Sequence, residues 1–210
     1  MQSAPGLQQA LRNLAGALLE LDPGRAATCL AQALAEHPDD ATLHFLSGNL
    51  HRARGEDERA AAAYREAIRR EDSAAPRINL AALHQDAGRF DEALRCYDDA
   101  LRCEPRNVLA RFNRSLLLLL TEKFKEGLAD YELRWQLPEL AGRIPEFGRP
   151  AWQGEALSGR TILLYAEQGF GDALQFARYI APIARSAGRV LVHCPAKLRE
   201  IGRASCRERV

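Results

Sequence analysis

The sequence predicts a mainly α protein: a superhelical array of paired helices followed by the first β-α-β unit of an incomplete α/β domain. Three observations predict it. Small residues recur at Ala26, Ala60, Ala93 and Gly127, spaced 34, 33 and 34 residues apart. Around the central pair the agreement extends, because Gly55-x4-Ala60-x3-Tyr64-x2-Ala67 returns as Gly88-x4-Ala93-x3-Tyr97-x2-Ala100. Over Thr161 to His193 this long period gives way to a short apolar run, a glycine loop, a helical pattern and a second apolar run. These place the array over 7–141, in units 7–40, 41–73, 74–107 and 108–141. A linker over 142–160 and an α/β fragment over 161–199 follow.

Each repeated position has a physical task. Gly55 and Gly88 are expected to end first helices, where a left-handed residue is easiest for glycine. Ala60 and Ala93 are expected at close helix crossings, with Tyr64 and Tyr97 filling the space between neighbouring helices. Pro38 and Pro105 close their repeats. One helix pair cannot bury its apolar face, but stacked pairs share a core and curve around a concave groove. The run Leu116 to Leu120 reads as a buried helix, and Tyr131 and Trp135 as core or junction residues. Cys96 and Cys103, seven apart, read as packing residues, and His51 and His84 as occupants of one structural slot. Asn79 and Asn113 lie 34 residues apart on successive first helices. Either they present amides to a peptide in the groove, or they bond within the helix packing.

Composition narrows the function classes. The chain has 210 residues, 47% hydrophobic and 27% charged, with formal net charge +1 and scattered basic residues. That excludes the basic footprint expected of a nucleic-acid or anionic-membrane binder. Five cysteines form no CxxC pair and have no histidine at zinc-like spacing, so no metal site is expected and the thiols read as reduced. Neither a signal sequence nor a membrane-spanning run is apparent, and a soluble cytoplasmic protein is the expectation.

Between Leu137 and Arg160 prolines and glycines break the periodicity, and Trp152 is expected to anchor this segment against a domain. Thr161–Tyr165 then reads as a strand, Gly169-Phe-Gly171-Asp172 as the loop, and Arg189–His193 as a second strand. The helix between is expected to run about fifteen residues, with Leu174, Phe176, Ala177, Ile180 and Ile183 inward, a break or kink at Pro182 and an end at Gly188. Strand, helix and strand imply a parallel sheet. The loop suits an anion or a sugar, since glycines let N–H groups approach a ligand at a helix N-terminus. Leu174 stands where a dinucleotide fingerprint needs its third glycine.

The repeat pattern resembles the tetratricopeptide repeat, a helix-turn-helix unit of about 34 residues. The Asn79 and Asn113 spacing resembles the asparagine ladder in the repeat domain of eukaryotic protein O-GlcNAc transferase. WQGEALSGRTILLYAEQGFGDALQFARYIAPIARSAGRV resembles the start of the catalytic region in bacterial tetratricopeptide-repeat glycosyltransferases, related to the heptosyltransferase-like family with the two-domain, Rossmann-like GT-B fold. That resemblance spans roughly residues 7–199. It implies Asp172 as the general base that deprotonates an acceptor hydroxyl, with Glu167, Gln168, Gly169, Gly171 and Gln175 shaping the acceptor side of the cleft. The competing reading of Asp172 is a helix N-cap, in which role its carboxylate would be a weaker base.

The resemblance implies a parent glycosyltransferase that takes a nucleotide-sugar donor as co-substrate, without a bound cofactor. Its acceptor would be a polypeptide or a lipid-linked sugar presented by the repeats. The alternative is a non-enzymatic repeat scaffold for protein-protein interaction. Residues 200–210, EIGRASCRERV, resemble an in-frame translation of a common sequencing adapter. Without that tail 26 basic and 26 acidic residues remain, and the α/β domain is expected to be cut before its donor half, leaving these 210 residues without transferase activity.

Overall fold

The computed structural model describes residues 13, 14, 16, 22–138, 140, 147–167 and 169–198. The chain divides into two compact units, Met1–Ala141 and Gly142–Val210. Gln168 and the tail 200–210 lie outside the described residues, as do parts of the first repeat and of the linker.

The first unit is an array of antiparallel helix pairs. Its helices are α1 (Pro23–Glu36), α2 (Ala41–Ala53), α3 (Asp57–Arg70), α4 (Ala74–Asp86), α5 (Phe90–Cys103), α6 (Val108–Leu120) and α7 (Phe124–Tyr131), with a 3₁₀ turn at Glu132–Gln136. Local chemistry fixes their ends. Asp22 accepts from the N–H groups of Gly24 and Arg25, Asp40 from Thr42 and Leu43, and Asn107 from Ala110, each capping the helix that follows. Gly55 and Gly88 end α2 and α4 at φ 72°, and the next N–H reaches back to the carbonyl of His51 or His84.

Packing follows the small-residue column. Ala26, Ala60, Ala93 and Gly127 are all buried. A Cβ on Gly127 would lie 2.8 Å from Leu119 Cγ, so the helices of that pair approach too closely for even a methyl group without adjustment. A parallel column, not singled out by the sequence reading, runs through Gly48, Ala81 and Ser115 on the first helices. There a Cβ on Gly48 would stand 2.4 Å from the Tyr64 ring. Among the described residues three clusters form the core of this unit. Ala26, Leu30, Ala33, Leu43 and Leu50 join α1 to α2; Ala60, Tyr64, Leu80 and Leu83 join α3 to α4; and Ala74, Ile78, Ala81, Ala93, Tyr97, Ala100, Ala110 and Leu117 join α4, α5 and α6. Each fully buried leucine contributes about 1.5–3 kcal/mol relative to exposure. The run Leu116 to Leu120 is only partly buried as expected: Leu117 and Leu118 are buried, whereas Leu116 and Leu120 face outward because the helical period carries them to the opposite face.

In the second unit β1 (Thr161–Tyr165) pairs in parallel with β2 (Arg189–His193), in the register Thr161↔Arg189 to Tyr165↔His193. The crossover is two short helices, α8 (Phe170–Ala177) and α9 (Ile180–Ala184), in place of one of about fifteen residues. The chain leaves α8 at Arg178, four residues before Pro182, whose missing N–H and bulky ring cannot serve the Arg178 carbonyl. Leu174, Phe176 and Ala177 are exposed, contrary to the inward face expected of them, while Ile180 and Ile183 are half-buried. Only two strands are present among the described residues, too narrow a sheet to cover that face. Gly188 lies beyond the helix end. It is glycine because its Cβ would sit 1.9 Å from the Gly159 carbonyl oxygen, and its N–H donates to the Arg160 carbonyl. Trp152 donates to the Glu155 carbonyl at 2.7 Å and stays largely exposed, closing its own turn.

Candidate functional site

The face formed by the first helices α2, α4 and α6 carries the array's most organised polar group. Asn79 on α4 donates from Nδ2 to Asn49 Oδ1 on α2 at 2.8 Å and to the Tyr64 hydroxyl at 3.4 Å. The Tyr64 hydroxyl, on α3, donates in turn to Asn49 Oδ1 at 2.9 Å. Burial pushes the Tyr64 pKa up, so this hydroxyl keeps its proton for that bond. The Asn49 oxygen thus receives two donors, and three helices are tied at one point.

This arrangement changes the expected ladder. Asn79 bonds to Asn49 within the packing, and Asn113 does not take part. One repeat along, Ala82 occupies the Asn49 position, and neither Asn113 nor the Tyr97 hydroxyl has a hydrogen-bond partner among the described residues. Burial pushes the Tyr97 pKa up to about 12. Sequence reasoning missed Asn49, although its place immediately after Gly48, against Tyr64, was available. It also missed Arg52, which pairs with Asp86 at 3.3 Å one turn beyond the amides.

The histidine slot is structural. His51 Nδ1 meets Glu56 Oε2 at 2.7 Å, and Arg89 Nε donates to His84 Nδ1 at 3.0 Å, so each ring closes the loop after its helix. Cys96 is half-buried, and burial raises its pKa; Cys103 donates to Asp72 Oδ1 at 3.1 Å. Neither is poised as a nucleophile. Among the described residues no cluster of histidine, cysteine and carboxylate side chains could hold a metal.

The second candidate is the loop at the carboxyl end of β1. Gly169, with φ −65° and ψ 174°, is the N-cap of α8, and Asp172 sits three residues on, inside the first turn. The cap reading of Asp172 is therefore corrected. Its carboxylate is half-buried, makes no hydrogen bond among the described residues and lies near the positive end of the helix. Gly171 would admit a Cβ with nothing within 4 Å, and Gly169 would meet only Asp172 Oδ2 at 4.0 Å. Neither glycine has a positive φ. Glu167 and Gln175 are exposed nearby in the chain.

The family model that matches this chain describes the tetratricopeptide repeat and covers residues 20–76 and 78–142. The chain belongs to the tetratricopeptide repeat family. It is 30% identical over 183 residues to protein FlbA of Caulobacter vibrioides, an alignment covering 84% of this chain and 30% of FlbA. The chain therefore spans about a third of the length of that curated relative. Among solved structures it is similar to pilF of Pseudomonas aeruginosa, with TM-score 0.57, 20% identity and coverage of 63% of this chain and 61% of that one. MamA matches with TM-score 0.54 and 17% identity over 64% of this chain and 80% of its own. PilW, described as a type IV pilus biogenesis factor, matches with TM-score 0.57 and 19% identity over 63% of each chain. At these identities the likeness shows the fold of the tetratricopeptide array alone. Among the described residues no helix is long and apolar enough to cross a membrane.

Proposed function

We propose that this chain works as a tetratricopeptide scaffold that holds a polypeptide partner on the face of α2, α4 and α6. The observation that carries the reading is the Asn49–Tyr64–Asn79 group: two side-chain amides held in fixed orientation by their own hydrogen bonds on the face of the first helices. Preorganised amides can hydrogen-bond a peptide backbone without the entropic cost of ordering themselves. Asn113 lies one repeat further along the same face. Affinity capture with the full chain, followed by mass spectrometry and repeated with Asn79→Ala plus Asn113→Ala, tests it. Partners should be recovered by the parent and lost by the double variant at unchanged helical content; equal recovery would sink the assignment of that face.

A second reading has its own support. The two loop glycines are required by neither backbone conformation nor packing, and they stand at the carboxyl end of a parallel strand beside Asp172, whose carboxylate has no partner among the described residues. Open α/β sheets bind ligands at that edge. On this reading the second unit opens the acceptor side of a GT-B glycosyltransferase, with Asp172 as general base and Glu167, Gln168, Gly169, Gly171 and Gln175 around the acceptor. A nucleotide sugar would be the donor, and the acceptor a polypeptide or a lipid-linked sugar presented by the repeats. In the natural full-length polypeptide, Asp172→Asn should abolish most sugar transfer at unchanged stability. Unchanged turnover would remove the base.

A further inference from the structure

We infer that the polypeptide segment held by this array is extended, uncharged and apolar in its side chains, and that it lies across the Asn49–Asn79 amide pair and the leucine stripe of α6. The inference rests on the reading that the α2, α4 and α6 face binds polypeptide, and it specifies what kind. Three features of the surface select this occupant. Asn49 Oδ1 is taken up by two donors, and Asn79 Nδ2 by two acceptors. That leaves the two Asn49 amide N–H groups and the Asn79 carbonyl oxygen without a partner among the described residues, donors on one helix and an acceptor on the next. A peptide unit in extended conformation offers the complementary carbonyl and N–H.

Charge comes next. Arg52 and Asp86 flank the amides and neutralise each other at 3.3 Å. Among the described residues the stripe through Asn79, Ala82, Asn113 and Leu116 carries no unpaired charge, so an acidic tail, a terminal carboxylate or a basic segment would be desolvated there without compensation. The third feature is an apolar stripe on α6. Leu109, Leu116 and Leu120 are 46%, 39% and 59% exposed, and they fall on the same face of α6 as Asn113, at helical spacing. The equivalent positions on α4 hold Ala75, Ala82 and Asp86. The face therefore changes along its length from amide hydrogen bonding to apolar contact.

The experiment uses three degenerate pools of acetylated, amidated peptides about ten residues long, roughly 33 Å when extended. One pool is composed of Leu, Val, Ala, Ser and Thr; in the other two the apolar positions are Asp and Glu, or Lys and Arg. Fluorescence anisotropy with the full chain should show the neutral pool binding at least about tenfold more tightly than either charged pool. Leu109→Ser plus Leu116→Ser should weaken the neutral pool by about tenfold or more while leaving the melting curve in place. Tighter binding of a charged pool, or equal affinity of the leucine variant for the neutral pool, overturns this inference and leaves the peptide-binding reading standing. If Asn79→Ala plus Asn113→Ala changes the binding of no pool, the binding face itself is wrong and the inference falls with it.

Discussion

Glu122 takes a left-handed backbone conformation, with φ 62°, at the repeat position where Gly55 and Gly88 stand with φ 72°. The three turns share their hydrogen bonding, since the Lys123 N–H reaches the Leu118 carbonyl at 2.8 Å as Arg89 does His84. A side chain with a Cβ is disfavoured there by about 1–2 kcal/mol. Glycine loses about 0.5–1 kcal/mol more backbone entropy on folding. No contact offsets the difference, because the Glu122 side chain is exposed and makes no ion pair among the described residues. Glu122→Gly should therefore stabilise the array by about 0.5–1 kcal/mol, and the reciprocal Gly88→Glu should destabilise it by a similar amount. For a chain of this size that is roughly 2–4 °C per kcal/mol in the helical melt followed by circular dichroism. A Glu122→Gly protein that melts at or below the parent would refute the claim that backbone conformation, rather than side-chain contact, fixes glycine at these turns.

The amide group predicts an asymmetry between two buried tyrosines: Tyr64→Phe should cost about 1 kcal/mol in urea unfolding by removing a donor from Asn49, while Tyr97→Phe, whose hydroxyl has no partner among the described residues, should cost less. Equal losses would show that the Tyr64 bonds add nothing. His84 supplies a pH dependence. Burial first, then the charges of Arg89 and Arg65, hold its pKa below the usual 6.5, so the folded state binds fewer protons than the unfolded chain and stability is lost as pH falls from that value. His84→Gln should flatten the melting temperature between about pH 7.5 and pH 5.5, and an unchanged slope would assign the dependence elsewhere. Gly188→Ala should destabilise the second unit by about 3 kcal/mol, because the three atoms nearest the new methyl all belong to the backbone of Gly159. Limited proteolysis should then cut within 142–210 while the array's helical signal holds.

What the sequence made legible followed from repetition and alternation. A spacing of 33 or 34 residues located the helix crossings to the residue, since a buried methyl group leaves no other choice at Ala60 or Ala93. The parallel β1–β2 pair was legible because two apolar runs with a helix-length crossover permit few other arrangements. Other features depend on contacts between residues far apart in sequence. Gly188 looked like a helix end, yet its requirement comes from Gly159, twenty-nine residues earlier, through a backbone approach that no local pattern encodes. Asn79 and Asn113 share a repeat position, which left open whether they face a peptide or bond within the packing; Asn79 does the latter because Asn49, thirty residues earlier on the preceding first helix, offers its oxygen. The cap at α8 fell to Gly169 because Asp172 lies one turn too late.

The repeats act as controls for one another, so a departure from a column carries more meaning than the column. Ala33, Ala67 and Ala100 are buried at one crossing, and the corresponding residue in the last described pair is Arg134. It stays buried because its guanidinium lies 4.3 Å from the Tyr131 ring centroid and 4.4 Å from that of Trp135, and donates to the Tyr131 carbonyl. A planar cation between two rings cannot share a crossing built for a methyl group. The α-helix α7 accordingly stops at Tyr131 and tightens into the 3₁₀ turn Glu132–Gln136. The same logic applied to the outward columns picks out Asn49, Ala82 and Leu116, three residues of different chemistry at one repeat position. Packing leaves that position free to vary, and the order amide, methyl, isobutyl runs along the face proposed to meet a partner. Chemistry that changes freely along the outward column, beside small residues held at most of the inward crossings, favours the proposed binding face on α2, α4 and α6.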